Sequence, residues 1–330
     1  MNPSVSVIVP VFNSGKALVP HIDSLLTQSL KNIEIIIVND GSNDTTENVI
    51  ENLVKKHTNI VSVHLDKNKG VHEARLAGLK KSSAPWVGFM DADDFARPNM
   101  YSTLLTAAKK SNADIVVCSC ERVDEHRNFV SQKLKFKRSI KVENDIFAKF
   151  CRFEFGIGML WNKLYKREII EPFFDLHYIW RQDIDEDLLL NIGCFSKAER
   201  VYILDDILYD YVVNDKSITS TTNNSDAYIE TYRAFALAMS LFSNMSDQYT
   251  IQIIEMYQMQ FSKGEYYVYN LNDTDKYLLK EAVELIYSYN PLALALLPSC
   301  KPSISVGGRV AIKSLYHKGL AKMGLNFNAY

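Results

Sequence analysis

Short apolar runs that alternate with helical spacings constrain this chain more than any other feature. Residues 4–12 (SVSVIVPVF) form a β-branched run that ends in a turn, and residues 17–30 (ALVPHIDSLLTQSL) then carry helical spacing. The pattern repeats. Runs at 33–40 (IEIIIVND), 60–65 (IVSVHL), 86–90 (WVGFM) and 114–120 (DIVVCSC) are separated by helical stretches at 44–56, 71–81 and 99–110. Each run is apolar on both faces. Such strands, interleaved with helices, predict an α/β fold: a mostly parallel central sheet flanked by helices. Sheets of this kind bind ligands beyond the C-terminal ends of their strands, and polar motifs stand there in this sequence.

After about residue 124 the rhythm changes. Residues 127–142 (RNFVSQKLKFKRSIKV) alternate basic and apolar side chains, as an exposed hairpin does. Residues 143–151 read as helix, and RVYIL (200–204) and ILYDYVV (207–213) as two short strands. From about 225 the chain becomes helical and aromatic, with Tyr249, Tyr257, Phe261, Tyr266, Tyr267 and Tyr269 crowded together. The expected organisation is one domain over 1–220, with halves at about 1–124 and 125–220, and a helical C-terminal region over 221–330.

Composition removes several function classes. A formal net charge of −2 gives no bulk electrostatic reason to bind nucleic acid. The first ten residues lack a basic segment before their apolar run, so no signal peptide is expected. No uninterrupted stretch approaches the ~18–20 apolar residues of a membrane span. The five cysteines, at 118, 120, 151, 194 and 300, include no CxxC pair and read as reduced core residues of a cytoplasmic protein.

Four motifs can carry chemistry. In FMDADDF (89–95), Asp91, Asp93 and Asp94 follow an apolar strand. In an extended chain Asp91 and Asp93 share a side and Asp94 points away. Two such carboxylates can hold Mg²⁺ or Mn²⁺ together with substrate phosphates; the plainer reading is a solvated acidic turn capping the helix near Pro98. In VNDGSND (38–44), Asp40 can accept a hydrogen bond from a nucleobase imide, or Asp40, Ser42 or Asn43 can cap the next helix. In DKNKGVHEARLAGL (66–79), Lys67, Lys69 and Arg75 can attract a diphosphate at a helix N-terminus, or simply be solvated. In RQDIDEDLLLNIGCF (181–195), the spacing of Ile184, Leu188, Ile192 and Phe195 predicts a buried helix face. Asp183, Asp187 and Asn191 then form a neighbouring stripe. Asp187 at the rim is a candidate general base, or an acid complementing the helix macrodipole.

SVIVPVFN, IIIVNDGSNDTT, KNKGVHEARLAGL, FMDADDF, WNKLYKREII and DEDLLLN follow one another in this order. Together they resemble glycosyltransferase family 2, inverting enzymes of GT-A fold, over residues 4 to about 220. The resemblance implies a UDP-sugar donor, a divalent metal (Mn²⁺ or Mg²⁺), and a glycan or lipid-linked acceptor in bacterial surface-polysaccharide or glycoconjugate assembly. It implies that Pro10 lies in the loop lining the nucleotide, that Asp40 binds uracil, and that Asn68 and Arg75 line the nucleotide site. Asp91 and Asp93, with Ala92 between them, become the DxD motif, Asp93 being the direct metal ligand. Asp187 becomes the base.

The chain departs from the family pattern at Asn39, often Asp, and at Leu76, often Asn. Val212 and Asn214 replace the basic residues that often follow the Tyr-rich strand, so a cation from 133–138 is the expected substitute near the diphosphate. Two other classes fit part of the pattern. A non-catalytic nucleotide-sugar-binding or scaffold protein would keep the fold without the chemistry. A nucleotidyltransferase would need a Gly-rich phosphate loop that is missing near the N-terminus. Residues 301–327 hold Lys301, Arg309, Lys313, Lys318 and Lys322 with no acid. They read either as a basic amphipathic helix lying on an anionic leaflet, making the protein peripheral at the inner face of the plasma membrane, or as a helix packed on its own domain or on a second subunit.

Overall fold

A computed structural model describes residues 2–214, 224–263 and 272–296. The chain divides into two compact units. The first comprises Met1–Phe150, Glu154–His177 and Leu190–Asp215; the second comprises Cys151–Phe153, Tyr178–Leu189 and Lys216–Tyr330.

The first unit is built on one sheet. β1 (Val5–Val11) pairs in parallel with β2 (Ile33–Asn39) and with β4 (Trp86–Phe89), and β2 pairs in parallel with β3 (Ile60–His64). β6 (Ile115–Val123) runs parallel to β10 (Val201–Val212). A short strand, β9 (Lys163–Lys166), lies antiparallel between β4 and β6 and joins the two parallel sets. β5 (Phe95–Ala96) pairs antiparallel with β10. The sheet is therefore mostly parallel, as the alternating pattern predicts.

The helices α1 (Leu18–Leu26) and α2 (Thr46–Lys56) bury Leu18, Ile22, Leu25, Ile50 and Leu53 with Val5, Val7, Val9, Ile35 and Ile37. Helix α3 (Val71–Lys81) meets the opposite side-chain set. A Cβ on Gly78 would stand 2.5 Å from Cγ2 of Ile8 and 3.1 Å from Cγ2 of Val38, so glycine lets the helix approach β1 and β2. Helix α4 (Met100–Ser111) supplies Met100, Tyr101, Leu104 and Leu105 to the core.

Three expectations change here. The 127–142 stretch is not a hairpin: β7 (Phe129–Leu134) pairs with β6, whereas β8 (Ile140–Val142) pairs with β10. RVYIL and ILYDYVV are one strand, β10, whose register shifts between Leu204 and Tyr209 mimic a break in the sequence. Pro10 lies inside β1, opposite Val38, rather than in a loop. Its missing N–H causes no loss. In a parallel strand residues 8 and 10 face the same neighbour, and the β1–β4 ladder ends where Met90 N–H donates to Ile8 O.

α5 (Ile146–Cys151) precedes β9, and α6 (Arg167–Ile170) and α7 (Glu186–Lys197) follow it. The second unit adds α8 (Asn224–Leu241), α9 (Asp247–Lys263), α10 (Asp273–Tyr289) and α11 (Pro291–Leu296). α8 and α9 pack through aromatic side chains, Tyr228 and Tyr232 against Phe261 and Phe235 against Tyr257. α10 opens on a capping box between Asn272 and Asp275. Cys118, Cys120, Cys151 and Cys194 are buried free thiols. Among the described residues no helix is long and apolar enough to cross a membrane. The basic segment 301–327, Cys300 and the tyrosines at 266–269 lie outside the described residues.

Candidate active site

The C-terminal ends of β2 and β4 and the N-terminus of α3 meet in the first unit. β2 stops at Asn39, and Asp40 turns inward and is buried. Its Oδ1 accepts the Lys69 backbone N–H at 2.7 Å, and its Oδ2 accepts that of Gly70 at 2.9 Å. Gly70 (φ +95°) is the N-cap of α3, so Asp40 secures the loop entering another helix rather than capping α2. Asp44, one residue before the N-cap Thr45, accepts the Thr46 N–H at 2.9 Å. Gly41 has φ +65°, and a Cβ there would lie 2.2 Å from the Lys67 carbonyl carbon, so the turn fits only with glycine. The half-buried Asn68 is held in this loop. Lys69 pairs with Asp66 at 2.8 Å.

β4 is buried along its length and ends at Phe89. The chain does not continue extended; it turns, with Asp94 N–H donating to Asp91 O at 3.3 Å. Strand alternation therefore does not decide where the three aspartates point. Asp91 is half-buried, and one of its oxygens lies 3.2 Å from the Arg75 guanidinium. Arg75 is itself buried on α3. Asp94 is fully buried: the Tyr209 hydroxyl donates to it at 2.8 Å and the Val212 N–H at 2.8 Å. Burial, then the charges of Asp91 and Asp93, push its carboxyl well above the ordinary range. Asp93 keeps an exposed side, yet the surrounding protein and the Asp91 charge raise it to about 6. Ala92 packs against the core. β5 follows at once and pairs with β10, which pins the turn.

β10 contributes more than the sequence reading assigned to it. Tyr209 also accepts the Asp91 N–H at 3.2 Å and stacks on Trp161 at 4.3 Å. Tyr211, two residues on and so on the same side of the strand, is raised by burial and by the three aspartates. The Lys133 ammonium, from β7, stands 3.8 Å from the centre of the Tyr211 ring. Arg97 and Arg127 are engaged elsewhere, at 2.7 Å from the two oxygens of buried Asp210. The alternation in YDY was the available signal for the two tyrosines.

Two carboxylates, Asp91 and Asp93, thus remain in reach of a bound group, and both are hard oxygen donors. Burial first and the Asp91 charge second raise Asp93, and a bound cation would offset both. The set fits Mg²⁺ or Mn²⁺, which commonly takes one or two carboxylates and completes its shell with phosphate and water. Among the described residues no group of three or more His, Cys, Asp or Glu side chains forms a metal cage.

Asp187 belongs to the second unit, in the first turn of α7, half-buried. Helix α7 begins at Glu186, so Asp183 and Ile184 precede it and the four-residue steps from them are not helical steps. Asp185, which the sequence reading passed over, takes φ +62° at the entry to the helix.

The sequence profile of "Glycosyl transferase family 2" matches residues 6–174. The chain belongs to this family. This family 2 member is 35% identical to "Uncharacterized glycosyltransferase EpsJ" of Bacillus subtilis (strain 168) over 66% of its own length and 64% of EpsJ. It is 26% identical to the "Cholesterol galactosyltransferase" of Borreliella burgdorferi over 86% of the chain and 81% of that protein. The chain thus spans somewhat under two thirds of EpsJ. Its fold matches the crystal structure of S. aureus TarS 1-349 in complex with UDP-GlcNAc with a TM-score of 0.70 at 19% identity, covering 99% of this chain and 93% of that one. The fold is GT-A.

Proposed function

We propose that this chain is an inverting glycosyltransferase that moves a hexosyl or N-acetylhexosaminyl group from a UDP-sugar to a hydroxyl of a glycan or lipid-linked acceptor, in surface-polysaccharide or glycoconjugate assembly. The observation that carries the reading is the gathering of Asp40, Arg75, Asp91 and Asp93 at the ends of β2 and β4. A solved relative of the same fold is named as a complex with UDP-GlcNAc.

In this reading Asp40, each of whose oxygens has a second lone pair, accepts the uracil imide N–H. Pro10, Asn68 and Ala92 line the nucleotide. Asp91 and Asp93 hold Mg²⁺ or Mn²⁺, Asp93 directly and Asp91 oriented by Arg75. The ion, when bound, offsets charge that grows on the UDP leaving group. Lys133, braced on Tyr211, supplies the cation that Val212 and Asn214 do not. Asp187 removes the proton from the acceptor hydroxyl as that oxygen attacks the anomeric carbon from the face opposite UDP. No covalent enzyme intermediate forms.

A donor screen tests this. UDP-glucose, UDP-galactose and UDP-N-acetylhexosamines are incubated with the protein, with and without Mn²⁺, and UDP release is measured. The expected result is Mn²⁺-dependent release from at least one donor. Tight donor binding with no turnover in the presence of acceptor glycans would return the non-catalytic, nucleotide-sugar-binding alternative. Pyrophosphate release from a nucleoside triphosphate would point to nucleotidyl transfer instead.

A further inference from the structure

One buried carboxyl takes no part in the mechanism above. Asp185 immediately precedes α7 and adopts φ +62°, a conformation that costs most side chains energy and that aspartate tolerates better than most. Its carbonyl accepts the Leu189 N–H at 3.3 Å, the hydrogen bond that closes the first turn of α7. That turn carries Asp187. The Asp185 carboxyl is packed against two helices. From α9, Gln260 Nε2 donates to its Oδ1 at 3.2 Å. From α8, the Thr231 hydroxyl lies close by and Glu230 adds a negative charge. Glu230 is itself 3.8 Å from Arg233, whose guanidinium sits over Trp180. Asp185 Oδ2 and the Tyr257 hydroxyl are both buried, and neither makes a hydrogen bond of ordinary geometry among the described residues.

We propose that Asp185 is a positioning residue whose carboxyl group, locked between α8 and α9, fixes the turn that presents Asp187. The inference rests on the reading of Asp187 as the base. Its chemistry follows from the surroundings. The groups that act on Asp185 among the described residues are Asp187, Glu230 and the Thr231 hydroxyl, with Tyr257 and Tyr178 nearby on the same cluster. None is a cation. Burial first, then the Asp187 and Glu230 charges, raise the carboxyl to about 7, while Thr231 opposes them. Below neutral pH Asp185 keeps its proton while Oδ1 accepts from Gln260. Asp187, half-exposed at the helix N-terminus, then carries the pair's negative charge. Above neutral pH a second, unpaired charge enters the buried cluster and loosens the turn.

The sign for stability is fixed. A carboxyl raised above its unfolded value favours the fold while it is neutral, and that contribution declines as pH rises from about 4 through about 7.

The experiment uses the full chain, with wild type, Asp185→Ala, Asp185→Asn and Asp187→Asn assayed from pH 5.5 to 9. In Asp185→Ala kcat should fall about ten- to a hundredfold at unchanged donor KM, the cost of a misplaced group. Asp185→Asn resembles the neutral acid in shape and in its donor and acceptor. It should restore most of that loss at pH 6 and lack the decline in kcat that wild type shows above pH 7. Melting temperatures, which need no activity, should fall less with rising pH in Asp185→Asn than in wild type. An Asp185→Ala protein with wild-type kcat overturns the proposal, as does an Asp185→Asn protein whose rate and melting profiles against pH superimpose on wild type. Undiminished turnover in Asp187→Asn is a separate result and defeats the assignment of the base itself.

Discussion

Asp91 has a guanidinium 3.2 Å away and an exposed carboxylate, Asp93, two residues on. Asp185 has Gln260 and Thr231 for neighbours and acids beyond them. Both are aspartates in short acidic runs, beside a strand end in one case and a helix start in the other. In the proposed reading the first cluster receives positive charge. Its deepest member, Asp94, is satisfied by Tyr209 and Val212, which leaves Asp91 and Asp93 to face outward. The second cluster favours a protonated carboxyl, because among the described residues the groups that act on Asp185 include no cation. A run of acids in a sequence therefore says little until the neighbours from other elements are known. The backbone turn decides which carboxylate is buried, and the facing side chains decide whether it is ionised.

The sharpest way to separate the clusters is Asp187→Asn. It keeps the side chain's size and removes its basicity, so transfer should fall roughly 10²–10⁴-fold while donor affinity stays within about twofold. A larger loss in Asp183→Asn or Glu186→Gln, in protein that folds normally, would move the base. Asp93→Asn should do the reverse: UDP affinity in Mn²⁺ falls about 10- to 100-fold, the usual worth of a hydrogen bond or contact to a charged group, at unchanged melting temperature. Asp40→Ala removes two charge-assisted hydrogen bonds to the 69–70 loop. It should weaken UDP about tenfold and also lower the melting temperature, both by calorimetry. Lys133→Met should give the smallest effect, about three- to tenfold on UDP and none on uridine, with Lys133→Arg restoring it. Equal loss on uridine would mean that Lys133 supports Tyr211 rather than the diphosphate.

Much of the first unit was legible because its signal is local. β1, β2, β4 and β6 are mostly buried, β3 less so with Ser62 and His64 on one side, and the helices between them keep their spacing. β9 escaped notice because KLYK carries two lysines. Lys163 is nevertheless fully buried, its ammonium donating to the Met159 carbonyl and to Asn162 Oδ1 at 3.0 Å. The start of α7 was misplaced because Ile184 continues the apolar spacing by coincidence, whereas the positive φ at Asp185 leaves no compositional trace. At the site, the sequence pointed to Asp40, Arg75, Asp91 and Asp93. It could not place Tyr209 and Tyr211, because each reaches the aspartates from a strand more than a hundred residues away; it narrowed the cation only to 133–138, where Lys133 stands over the Tyr211 ring. The loop position of Pro10 was implied by the family resemblance; it lies instead in β1, where the end of the β1–β4 ladder makes proline acceptable.

The central claim is that the turn after β4 receives the diphosphate of a UDP-sugar. Titration calorimetry with UDP, on wild type and on Asp93→Asn, with and without Mn²⁺, tests it most directly. The account predicts that wild type binds UDP, that Mn²⁺ tightens this binding, and that Asp93→Asn loses the Mn²⁺ effect while melting normally. Failure of wild type to bind UDP at millimolar concentration, or an affinity indifferent to both Mn²⁺ and Asp93, would contradict it.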